Sequence, residues 1–206
     1  MKYENAYKGV KLLFWSEIVT IACAVFSLTA AVTSAVVKDV AVGEATLYAI
    51  FAMIAAMVGV VAGIIGIFGY YKASADEKYF FYSLAFVLTS VILSVIAAFL
   101  TEGTRVRRVL ELLTTLFEEL TLIYAIYAIV QLAKKLDNAA IAKFGNFLLN
   151  LIFVILVLII ASDVIIIVTQ GNAVVAAILA IVDALLSIVA YVLYLVYLAK
   201  AKNMLA

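Results

Sequence analysis

Residues 45–71 read ATLYAIFAMIAAMVGVVAGIIGIFGYY, a stretch that carries no charge and is long enough to cross a bilayer with some tilt. Within it Ala45, Ala49, Ala52, Ala56, Gly59, Gly63 and Gly66 follow one another at alternating steps of four and three. On a helix that spacing gathers them into one face almost without side chains. Lipid tails are as apolar as leucine, so helices in a membrane associate through close backbone approach rather than hydrophobic drive. The stretch predicts the central helix of a polytopic membrane protein, with these seven residues as its packing seam.

The remainder of the chain agrees with that reading. Of its 206 residues 69% are apolar, and the mean hydropathy is +1.28, far beyond the roughly 45–50% apolar content of a soluble domain. Apolar runs predict six spans at residues 12–37, 45–71, 79–100, 109–133, 144–169 and 173–198, separated by short polar breaks such as Ser74-Ala75-Asp76-Glu77. The runs are too long and too rich in Ala and Leu for strands. The expectation is one all-α domain over residues 1–206, built as three antiparallel helical hairpins. Length leaves little room for an extramembrane domain. The first run, preceded by Lys2, Lys8 and Lys11, is too long for the core of a signal peptide and reads as a retained anchor.

Other runs carry seams of the same kind. The first has Thr20, Cys23, Ser27, Ala30 and Ser34; the fourth has Thr114, Glu118, Thr121, Ala125 and Ala128; the sixth has Ala176, Ala180, Asp183, Ser187 and Ala190. A small-residue period near 3.5 predicts left-handed crossings. The fifth run, bulky on all faces, is expected at the lipid-facing periphery.

Several functions are excluded by what is missing. The chain has no histidine, one cysteine (Cys23) and no proline. That removes an internal disulfide, a thiolate metal cage and the usual general base or proton shuttle. It also argues against the proline-broken helices that many transporters use at ion sites. No catalytic constellation, cofactor or metal site is expected, and a formal charge of +1 points to no nucleic-acid partner. The glycine-rich run from Gly63 to Gly69 lies inside an apolar helix and cradles no phosphate.

Orientation follows from the lysines. Lys2, Lys8, Lys11, Lys72, Lys78, Lys134, Lys135, Lys143, Lys200 and Lys202 all fall on one side of a six-span arrangement. The positive-inside rule places that side, with both termini, in the cytoplasm of an inner or plasma membrane. Every tyrosine except Tyr48 sits toward the same side, as an interfacial aromatic belt would. Arg105, Arg107 and Arg108 lie on the opposite side, at the start of the fourth span. They read either as local partners of Glu111 or as a site for a lipid head group or other anion.

Acids within the spans are the functional candidates. Asp183 is about ten residues from either end of its span, where a charge costs on the order of 2.5–3.5 kcal/mol and should face the bundle. It is either hydrogen-bonded across helices or a proton- or cation-binding group. Glu118, beside Glu119, is expected one to two turns below the outer surface. Glu17 is expected near the inner one, within reach of Lys8 or Lys11. Two functions from different classes follow. One is a non-enzymatic packing or accessory subunit, whose partners are the bilayer and either a membrane protein or a second copy. The other is a small proton- or cation-coupled transporter or channel using Asp183, Glu118 and Glu17, with Tyr191, Tyr194 and Tyr197 near its mouth.

Overall fold

A computed structural model describes residues 2–36, 43–101, 104–168 and 173–206. The described chain forms six helices: α1 (Glu4–Val36), α2 (Gly43–Ser74), α3 (Tyr79–Ala98), α4 (Arg105–Lys135), α5 (Ala139–Val168) and α6 (Ala173–Leu205). Each contains a segment long and apolar enough to cross a membrane, and the chain is read as a multi-pass membrane protein. Several helices extend beyond the apolar runs. α1 starts at Glu4 rather than residue 12, and α6 continues to Leu205 rather than 198. Hydropathy marks only the lipid-crossing part, while Lys, Ala and Leu continue a helix into the head-group layer at little cost.

Inside lipid every polar group needs a partner within the protein. The hydroxyls of Thr20, Thr89, Thr114, Thr115 and Thr121 accordingly donate to the carbonyl four residues earlier in their own helix. Two donors of α1 reach across to α2 instead. Ser16 Oγ donates to the Ala62 carbonyl at 2.8 Å, and Cys23 Sγ to the Ala55 carbonyl at 3.1 Å. Rising numbers on α1 meet falling numbers on α2, so the two helices run antiparallel.

The α1–α2 pairing is the most extensive in the molecule. Its α2 stripe differs from the sequence expectation. Gly59 and Gly66 do lie against α1, facing Cys23 and Ser16, but a Cβ placed on Gly63 would meet nothing within 4 Å. Ala49 and Ala56 are exposed and Ala52 is half-buried, whereas Ala55, Ala62, Gly69 and Ala73 are buried. The contact stripe therefore runs Ala55, Gly59, Ala62, Gly66, Gly69, Ala73, sharing two members with the expected one. The side chain of Ala45 lies outside the described residues. The closest approach is near the helix ends, where a Cβ on Gly9 would sit 2.6 Å from Ala73 and from the Gly69 carbonyl oxygen. Only glycine permits that crossing.

Each helix packs against its neighbours in sequence, and α1 closes against α6. The buried core gathers at the end that carries both termini. It includes Val10 and Leu13 of α1, Tyr70 and Ala73 of α2, Phe80 of α3, Ala125, Ile129 and Ala133 of α4, Leu148 and Ile152 of α5, and Tyr194, Tyr197, Ala201 and Leu205 of α6. α5 is thus a full member of the bundle rather than a peripheral rod. Gly145 lets Tyr197 and Val130 pack directly on its backbone, and Phe144 meets the Tyr197 ring edge-on. The tyrosines also depart from a simple interfacial belt. Tyr70, Tyr194 and Tyr197 are buried, while Tyr79, Tyr82, Tyr124 and Tyr127 form a ladder with Phe86 and Phe117 between α3 and α4. Aromatic pairs of this kind add about 0.5–1.5 kcal/mol beyond area burial.

The turns at this end act as fasteners. Asp76 accepts the Ala6 backbone N–H at 2.7 Å and so satisfies one of the free amides that start α1. Glu77, almost fully buried, pairs with Lys135 at the end of α4. Between α4 and α5, Asp137 holds a φ of 55°. Around it Asn138 N–H bonds to Ala133 O, and Asp137 N–H to Lys134 O. This is a Schellman closure with aspartate in the usual glycine position.

Candidate functional site

Above the tyrosine-rich core lies a cavity of about 700 Å³. Five helices build its wall: Glu17 and Thr20 from α1, Val87 from α3, Glu118, Glu119 and Leu122 from α4, Ile152 and Ile155 from α5, and Ser187, Ile188, Ala190, Tyr191 and Tyr194 from α6. α2 contributes nothing to the lining. Glu17 stands about 20 Å beyond the start of α1, and Glu118 about 20 Å beyond the start of α4, at 1.5 Å per residue. Both acids are therefore mid-helix.

The local sequence explains why these side chains meet. Glu17 follows Ser16, whose hydroxyl is committed to α2; a turn of 100° then carries Glu17 toward α6. There the Tyr191 hydroxyl donates to the Glu17 backbone carbonyl at 2.9 Å, fixing α6 against α1. Glu118 and Glu119 flank the point where α4 turns its buried face, with Thr121, Ala125 and Ala128 below them, toward the bundle. The opposing wall is aliphatic.

The electrostatics are one-sided. Three carboxylates line the cavity and no lysine or arginine does. Of the lysines expected near Glu17, Lys8 pairs instead with Glu4 one turn away on α1. Among the described residues no ion pair reaches Glu17, Glu118 or Glu119. Glu118 is exposed and Glu17 and Glu119 are half-buried; in apolar surroundings a charge without a counter-charge is costly, so these groups call for protons or an imported cation. Beneath them Tyr194 is 2% exposed and its hydroxyl interacts with that of Tyr70, while the Tyr197 hydroxyl has no hydrogen-bond partner among the described residues.

The remaining candidates fall elsewhere. Asp183 lies on α6, but its side chain is outside the described residues, as is that of Arg108. Arg107 Nε pairs with Glu111 at 2.8 Å, and its Nη1 donates to the Leu100 carbonyl, tying the end of α3 to the start of α4. Thr104 caps α4 by accepting the Arg107 N–H, and Arg105 is exposed. Glu119 and Tyr194 are the residues to which sequence reasoning gave too little weight. Their signal was a second acid and a ring at positions facing Glu17, which becomes legible only once α1, α4 and α6 are known to share one space. Searches with the chain matched no family model, no curated protein and no solved structure.

Proposed function

We propose that the protein is a non-enzymatic, multi-pass membrane protein that binds a cation within its bundle and carries it across the bilayer. Its termini and lysine-rich end lie in the cytoplasm of a bacterial-type inner membrane, and its helices cross with left-handed geometry. The observation that carries this reading is the set of three carboxylates around one intramembrane cavity, with no basic side chain to neutralise them. Intramembrane acids facing a cavity are the usual mark of a proton or cation path. Glu118 and Glu119 supply the charge from α4 and Glu17 from α1. Tyr70, Tyr194 and Tyr197 pack the space between the cavity and the lysine-rich end. A packing or accessory role leaves these acids without a task and stands second.

The test is cation-driven current or dye-reported proton movement in proteoliposomes. The parent chain should move at least one of protons, sodium, potassium or an organic ammonium. Glu118→Gln with Glu119→Gln should abolish that movement while the helical circular-dichroism signal persists. No movement of any of these cations by the parent chain would remove the proposal.

A further inference from the structure

We infer that the lysine-rich end carries a docking surface for anionic phospholipid, spread over the end of α4, the start of α5 and the end of α6, and separate from the cavity. The distribution of charge is the first reason. In the turn from α2 to α3, Lys72 and Lys78 flank Asp76 and Glu77. Those acids have partners of their own, Asp76 in Asn5 and the Ala6 amide, and Glu77 in Lys135. On the α5–α6 side Asp137 is the one acid, set against Lys134, Lys143, Lys200 and Lys202. None of these four lysines has an ion pair among the described residues. Basic side chains without counter-charges at the membrane surface attract anionic head groups.

The way the lysines are held is the second reason. Lys200 Nζ lies 5.1 Å from the centre of the Phe144 ring across the α5–α6 seam, and Lys202 Nζ 4.5 Å from that of Phe14 across the α6–α1 seam. A ring positions an ammonium without neutralising it, so the charge remains available to an anion. Lys134 and Lys143 line a recess of about 380 Å³ between α4 and α5, with Asn138, Asn146 and the single acid Asp137. The Asn138 side-chain oxygen accepts the Ile141 N–H, which leaves its amide group as a further donor. Four residues from Lys143 on the same helix face is Phe147, and four from Lys200 is Val196, both exposed. Each lies about 6 Å deeper than its lysine. A cation at head-group height above apolar surface matches a phosphate above an acyl chain, and free phosphate would use only the upper half. Lys72 with Phe68 and Lys78 with Tyr82 repeat the spacing, so charge balance rather than shape sets the α5–α6 side apart.

The full chain in phosphatidylcholine bilayers would be given spin-labelled phosphatidylglycerol or spin-labelled phosphatidylcholine. The motionally restricted fraction of each label reports their relative affinity for the protein. At low salt the anionic lipid should be favoured at least about threefold. The preference should fall toward unity at about 1 M salt, where the Debye length is about 3 Å. Lys143→Gln with Lys200→Gln should remove most of it, and Lys143→Arg with Lys200→Arg should retain it. Lys72→Gln with Lys78→Gln takes the same charge from the same end and should leave most of the preference in place. All four lysines are exposed, and an unchanged helical circular-dichroism signal checks that each variant folds. No preference in the parent chain, or equal loss in the two glutamine variants, would overturn the inference. So would loss of the preference to inorganic phosphate at an ionic strength where chloride leaves it intact, which would mark a site for the free anion.

Discussion

Glycines on α1 and α2 that look equivalent in sequence should respond in opposite directions to a single methyl group. A Cβ on Gly9 would lie 2.6 Å from both the Cβ and the amide nitrogen of Ala73, and 2.6 Å from the Gly69 oxygen. Ordinary contact begins near 3.4 Å, so α1 and α2 must part by close to an ångström at this point. Two of the three obstacles are backbone atoms, which cannot rotate away. Overpacking of that kind costs about 1–3 kcal/mol, against a gain of up to about 1 kcal/mol from replacing glycine by alanine in a helix. Gly9→Ala should therefore destabilise by about 1–2 kcal/mol. Gly63→Ala meets nothing within 4 Å and retains only the propensity gain, for a change between zero and about 1 kcal/mol of stabilisation. Equilibrium unfolding in mixed micelles, followed by helical circular dichroism, compares the two directly. Equal stabilities, or a greater loss at Gly63, would show that the α1–α2 contact stripe has been misplaced.

Further substitutions probe the fasteners at the same end. Lys135→Met strands the buried Glu77 carboxylate and should lower stability by about 2 kcal/mol, discounted because Lys135 is half exposed; Glu77→Gln in the same chain should recover part of the loss in the same unfolding assay. Asp137→Gly relieves the φ of 55° and should leave stability unchanged or raise it by about 1 kcal/mol, whereas Asp137→Val should cost more than it gains, read as detergent melting temperatures. Gly145→Ala would drive a Cβ into the Tyr197 hydroxyl oxygen and Val130 Cγ2. It should destabilise by about 2–3 kcal/mol, with only partial rescue by Tyr197→Phe because the Val130 contact remains.

Much of the architecture is visible in hydropathy alone, because every span must satisfy its own backbone and bury itself in lipid. What stays hidden is which face meets which neighbour. α2 carries two interleaved stripes of small residues, both spaced by threes and fours, which share Gly59 and Gly66. Only the partners on α1, Gly9, Ser16 and Cys23, decide between Ala62 and Gly63, and spacing along one helix says nothing about a partner. Position along a helix is obscured for a related reason. Helices that run past their apolar segments leave Glu17 and Glu118 near the helix midpoints although each lies toward one end of its apolar run. The site combines those two effects, since three acids scattered over two helices gain meaning only from the space they share.

Cysteine accessibility tests the existence of a wet, negatively charged cavity most directly. With Cys23→Ser as background, Ser187→Cys would be exposed in proteoliposomes to a cationic methanethiosulfonate and to its anionic counterpart. Faster modification by the cationic reagent is expected, with the difference lost when Glu17, Glu118 and Glu119 are changed to glutamine. Equal rates with the two reagents, or no reaction with either, would contradict the account.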